Sequence, residues 1–214
     1  MRWALLLLVA CGGSGDASVD AFRWADKGRL DQAAASVTRC AHVAPDDERY
    51  FCSDLLGGIR MRQGYFTEAA IAYREAFAIR DRIAKREGYG TPNADSLHQW
   101  GYALLRTGHP LEARPVLERA RLVATAPDEQ LILAAIDLEL AEIATKENNP
   151  TAAASLEAEA RTHACQTDEI QYFGKIEWLH TRYFPKDVWL AVAGACASPA
   201  EADQLRARAA MLPP

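Results

Sequence analysis

The chain has 214 residues, of which 50% are hydrophobic, 25% charged and 8% aromatic, and its formal net charge is −5. That length suffices for one good-sized domain or a short repeat array. The acidic balance, with both signs interspersed, excludes the electrostatic footprint of a nucleic-acid binder and reads as an ordinary solvated surface.

The N-terminus, MRWALLLLVACGGSGDAS, places a positive Arg2 before an apolar run from Trp3 to Ala10. The run is too short for a bilayer span, which takes about 20 residues. It fits the roughly 7–15-residue apolar centre of an export signal, and an ordinary cleaved signal would leave Cys11 incidental. Leu8-Val9-Ala10-Cys11 also resembles the lipobox of bacterial lipoproteins, which are cut before the cysteine and receive lipid on its sulfur and new amino group. The resemblance implies a signal peptide at 1–10 and a lipidated Cys11. Residues 11–17 would then form a flexible tether through Gly12-Gly13-Ser14-Gly15. In enterobacterial members an aspartate after the cysteine holds the protein at the inner membrane. Gly12 stands there instead, which implies the periplasmic face of the outer membrane. No later apolar run approaches spanning length.

Beyond Cys11 the chain carries Cys40, Cys52, Cys165 and Cys196, an even number for an oxidising compartment. Nearest-neighbour pairing would join Cys40 to Cys52 and Cys165 to Cys196. Four buried free thiols are the alternative, since cysteine packs well as a small hydrophobe.

From residue 18 onward alanine, leucine, glutamate and arginine dominate, and apolar residues recur three and four apart, as in Ala69, Tyr73, Ala76 and Phe77. Prolines 92, 110, 127, 150 and 199 mark expected first helical turns. One pattern recurs in steps of five, four and three: Gly28, Ala33, Val37, Cys40, then Gly64, Ala69, Tyr73, Ala76, then Gly108, Ala113, Leu117, Ala120, then Asn148, Ala153, Glu157, Ala160. The anchors lie 36, 44 and 40 residues apart, one helical hairpin per unit. Leu56-Gly57 and Trp100-Gly101 stand at the same distance ahead of two anchors, Leu140-Ala141 matches more weakly, and Pro45 and Pro127 close the first and third units. An irregular alanine-rich bundle is the bland reading, against which four hits in register argue.

The pattern resembles the tetratricopeptide repeat, W-x₂-L-G-x₂-Y, then A-x₃-F, then P. The match is good in the middle two units and poorer in the outer two. It implies an all-α fold, a right-handed superhelical stack of helical hairpins (an α-solenoid) with a C-terminal capping helix. Four repeats would span 18–167, and a degenerate fifth hairpin and cap would span 168–214. Gly57, Gly101, Ala69, Ala113, Ala76 and Ala120 fall where helices approach closely, with Val37, Tyr73 and Leu117 as larger wedges. Glu157 puts a charge at the wedge position, so the fourth repeat is expected to be splayed or out of register.

Catalytic and metal-ligand motifs are not found: there is no CxxC, HExxH, GxSxG or phosphate loop. Cys40-Ala41-His42 and His163-Ala164-Cys165 lack zinc spacing. No enzyme activity, cofactor or metal is expected. A stack of hairpins can bind through a groove lined by the first helix of each repeat. By the resemblance those positions are Phe22 and Asp26 in the first repeat, Asp54 and Arg62 in the second, His98, Tyr102 and Arg106 in the third, and Glu142 and Lys146 in the fourth. A plain solvated face is the alternative. The groove would suit a protein or peptide partner, with Tyr102 and Arg106 as the anchoring types. A carrier or sensor of a small molecule or cell-wall fragment is the second reading, with Trp100, Tyr102, Tyr172, Phe173 and Trp178 lining a pocket.

Overall fold

Four turns of one geometry organise the chain. Gly28, Gly64, Gly108 and Asn148 all have positive φ, between 57° and 81°. At each, the turn residue donates its N–H back to a carbonyl three residues earlier, and the following N–H reaches five residues back, as in Gly64 to Met61 (3.0 Å) and Tyr65 to Arg60 (2.9 Å). This paired bonding satisfies the last carbonyls of a helix and reverses the chain. Asparagine tolerates the left-handed region better than other side-chain-bearing residues, so the fourth turn keeps the geometry without glycine.

The computed structural model describes residues 14–88, 92–125 and 129–165, with isolated positions between 190 and 207. Its elements are α1 (Ser14–Asp26), α2 (Leu30–Val43), α3 (Asp46–Arg62), α4 (Phe66–Glu87), α5 (Ala94–Arg106), α6 (Pro110–Val123), α7 (Gln130–Lys146) and α8 (Pro150–Cys165). The described residues hold no strand, and no helix among them is long and apolar enough to cross a membrane. Pro110 and Pro150 occupy first helical positions as expected. Pro92 does not: Asn93 caps α5, its side-chain oxygen accepting from the Asp95 N–H at 2.9 Å. Cys11, Cys196, Pro127, Pro199 and nearly all of the expected fifth hairpin lie outside the described residues.

The chain divides into two compact units, Met1–Gly90 and Thr91–Pro214. Within the first, α1 packs on α2, α2 on α3, α3 on α4, and α1 on α3; within the second, α5 packs on α6, α6 on α7, α7 on α8, and α5 on α7. Each unit is therefore two stacked helical hairpins whose first helices touch. The fold is all-α and of the hairpin-stack class.

Side-chain size sets how closely the helices of a hairpin approach. Ala33, Ala69, Ala76, Ala113, Ala120 and the wedges Val37, Tyr73 and Leu117 are all buried. A Cβ at Gly57 would lie 2.8 Å from the Tyr73 ring, and one at Gly101 would lie 2.5 Å from Leu117 Cδ2. Where the wedge is smaller or absent the glycine is replaced. Ala21 occupies the position facing Val37's hairpin, and Ala141 the one in the fourth, where Glu157 is exposed and inserts nothing. The fourth hairpin is thus neither splayed nor out of register: Ala153 and Ala160 are buried as in the other hairpins.

Cys40 and Cys52 form a disulfide with Cα atoms 5.8 Å apart, tying the end of α2 to α3 and so the first hairpin to the second. Cys165 is also disulfide-bonded.

Candidate functional site

Sequence periodicity places His98, Tyr102 and Arg106 on one face of α5, and α7 covers most of it. His98 is 0% exposed and Tyr102 is 1% exposed. His98 Nε2 meets Glu139 Oε1 of α7 at 2.8 Å. Tyr102 lies under the Arg106 guanidinium, 4.7 Å from ring centroid to Cζ. This corrects the assignment of His98 and Tyr102 to an open groove. Helical spacing identifies the face, but the helix stacked on it decides what stays accessible.

The outer edge of the same surface remains half-exposed. Arg106 Nη2 donates to Glu142 Oε2 at 2.9 Å, and Lys146 Nζ to Glu142 Oε1 at 2.8 Å. The two cations hold the Glu142 carboxyl below its usual range, overcoming the opposing effect of its partial burial. Arg106, Glu142 and Lys146 therefore form one charged strip across α5 and α7, standing on a buried polar base. The structure brings together five of the nine expected groove residues, two of them below the surface.

The other four, Phe22, Asp26, Asp54 and Arg62, belong to the first unit. Arg62 donates to the Ala25 carbonyl at 3.2 Å and so braces α3 on α1. Asp54 is half-buried near Tyr50, whose phenol is raised chiefly by burial and secondarily by that carboxylate. Arg80 of α4 stacks 4.8 Å from the Tyr50 ring.

Two polar groups went unread in the sequence. Glu139 is buried beside His98, and burial raises its carboxyl against the pull of the imidazole. Burial pushes the His98 imidazole down, but the Glu139 carboxylate outweighs it and leaves His98 raised. Asp137, 0% exposed, faces Arg121 of α6 (Nε to Oδ1, 2.8 Å) and His163 of α8 (Nε2 to Oδ2, 3.6 Å). Burial pushes its carboxyl up to about 6, partly offset by Arg121 and then His163. Arg121 also pairs with Glu159. The available signal was Asp137 and Glu139 inside the otherwise apolar run LILAAIDLELA: such groups are rarely buried unless paired.

Among the described residues these groups face one another rather than an open cleft. His98 and Glu139 are closed to any solute. His163 directs Nδ1 to Gln130 at 2.8 Å and Nε2 toward Asp137, so neither nitrogen faces a nucleophile. Among the described residues no group of three or more His, Cys, Asp and Glu side chains is arranged to hold a metal ion. Besides the charged strip, the described surface carries an apolar area in the first unit. There Phe22 and Phe51 lie with ring centroids 6.4 Å apart, and Val19 is exposed on the same helix as Phe22. Phe22 was expected on an accessible face; Phe51 was not singled out. No protein-family model matches the chain, and no curated protein matches it either.

Proposed function

We propose that the chain is a non-catalytic scaffold of the bacterial envelope, held at the membrane by lipid on Cys11, whose second unit binds a protein partner across α5 and α7. The observation that carries this reading is the Arg106–Glu142–Lys146 strip. Its charges sit on two helices whose stacking is fixed by the buried His98–Glu139 pair, so they are pre-oriented rather than free to reorganise. Pre-organised polar groups give specificity at low ordering cost. The occupant that fits is a protein segment presenting both charge signs in complementary order, with Arg106 as the anchoring side chain. The outer membrane is the place implied by Gly12 after the cysteine.

The small-molecule reading set Trp100, Tyr102, Tyr172, Phe173 and Trp178 around a pocket; the Tyr102 ring is enclosed beneath Arg106, and Tyr172, Phe173 and Trp178 lie outside the described residues. No observation favours it over a protein partner.

The test is cross-linking in intact Gram-negative cells expressing the full chain, native or with Arg106→Glu and Lys146→Glu, followed by mass spectrometry of captured proteins. A discrete envelope protein captured by the native chain and lost from the charge-reversed one, at unchanged helicity, supports the scaffold. Equal capture by both, or none by either, removes it. Membrane fractionation of Cys11→Ser reads the anchor independently.

A further inference from the structure

We propose that the outer face of α1, together with Phe51 of α3, rests on the lipid surface, so that the first unit is oriented by a membrane contact in addition to its acyl anchor. The inference rests on the reading of Cys11 as the lipidated residue. It begins with α1, which buries the small Ala21 and Ala25, packs Trp24 against the core and turns Val19 and Phe22 outward. Val19 is 55% exposed and Phe22 is 41% exposed, three residues apart and so on one face. Phe51 is 46% exposed and its ring lies 6.4 Å from that of Phe22, so two aromatics and a valine share one exposed area. Covering these side chains removes apolar surface from water, which is favourable.

What covers the area follows from its distance to Cys11. The tether was expected to run to residue 17, but Ser14 and Gly15 already belong to α1. Three residues span at most about 10 Å, so the first turn of α1 stays that close to the acylated sulfur. Phe22 lies eight residues further on, about 12 Å along the helix axis. A helix tied so closely to the bilayer either stands up from it or lies along it. Lying down, with Val19 and Phe22 toward the acyl boundary, removes exposed apolar surface from water, as interfacial amphipathic helices do. The acidic Asp20 does not oppose this, because Arg23 pairs with it at 3.1 Å. Trp24 is partly buried, with the Lys27 ammonium 5.5 Å and the Arg29 guanidinium 5.4 Å from its ring, which puts two cations at the end of the same helix. The acyl chains supply the affinity, and the patch sets which way the first unit faces.

The experiment places the photo-reactive residue benzoylphenylalanine at position 22, 51 or 111 of the full chain in a Gram-negative host. Irradiated cells are analysed for adducts by mass spectrometry, and the Cys11 peptide is weighed in the same digest. Phospholipid adducts at 22 and 51 are expected, in excess of those at Leu111, the exposed comparison position on α6 of the second unit. Protein adducts at 22 and 51, or no adduct at either, overturn the proposal whatever the state of Cys11. Phospholipid adducts with an unmodified Cys11 keep the surface contact and discard the anchor. An acylated Cys11 without lipid adducts keeps the anchor and discards the contact. To separate a real contact from a perturbed fold, the purified native chain and Phe22→Asp/Phe51→Asp are compared on vesicles of phosphatidylethanolamine and phosphatidylglycerol. Amide exchange in α1 should slow on vesicles for the native chain and not for the variant. Equal behaviour of the two overturns the proposal.

Discussion

At the scale of single residues, contact between a glycine and its wedge decides how closely a hairpin closes. Gly101 leaves no room for a methyl group, because Leu117 Cδ2 and Cγ would lie 2.5 and 2.6 Å from the new Cβ. Leu117 is itself 0% exposed, so it has little freedom to retreat. Gly101→Ala is therefore expected to destabilise the second unit by about 1–3 kcal/mol, the range for overpacking a filled core. Trimming the wedge in the same chain, Leu117→Val, should restore part of the loss, since the first hairpin combines the smaller wedge Val37 with Ala21 at the glycine's place, both in one buried cluster. Thermal unfolding of the two single variants and the double one reads this directly; additive losses would show that the steric pairing is not the cause. The His98–Glu139 pair obeys a different rule. Removing one partner leaves a buried polar group without its mate, so Glu139→Ala should cost about 3–5 kcal/mol. Urea midpoints at constant slope would measure that cost, and a loss under about 1 kcal/mol would mean the pair is not closed to water.

At the scale of elements, the hairpin frame was legible in the sequence because the steps of five, four and three mark backbone requirements. The anchor must adopt positive φ, the next two positions must be small or wedge-shaped, and those demands act within one hairpin. The turns provide a clean test. Nothing lies within 4 Å of a Cβ built at Gly108, whose φ is +81°. Gly108→Ala thus meets only backbone strain, about 1–2 kcal/mol, whereas Gly108→Asn should cost less because Asn148 already holds the equivalent place. Equal losses for alanine and asparagine in thermal melts would remove the left-handed requirement as the reason for the glycine. What the sequence did not show was the stacking of one hairpin on the next. The face carrying His98, Tyr102 and Arg106 was found from helical spacing, but spacing within α5 contains no information on how far α7 slides over it. Glu139 and Asp137 were missed for the same reason, since a carboxylate in an apolar helix becomes a paired group only once its partner helix is placed. Phe51 was passed over because an exposed aromatic has no periodic signature.

At the scale of the whole molecule, the two units carry different chemical controls, and this makes them separable in experiment. The first is tied by Cys40–Cys52, a link across twelve residues, and losing such a link typically costs about 2–4 kcal/mol. The second holds the raised carboxyl and imidazole groups. Asp137 moves from its ordinary 3.8 to about 6, so the folded chain binds a proton there more tightly than the unfolded one. Stability contributed by that proton is present below about pH 4 and is lost as pH rises to 6, by about 3 kcal/mol for a shift of that size. Raised His98 acts in the same sense: its contribution is full below its ordinary 6.5 and is lost as pH rises through the higher folded value. Glu139, also raised, adds to the same trend. Amide exchange in α5–α8 should therefore slow on going from pH 8 to pH 5, after correction for the intrinsic rate. Asp137→Asn should flatten the part of that change lying between pH 4 and 6. Cys40→Ser/Cys52→Ser should instead speed exchange in α1–α4 and leave the pH response of α5–α8 as it was, since stacked repeats transmit stability mainly to neighbours. If the double serine variant abolishes the pH response of α5–α8, the two units unfold as one body and their controls are not independent.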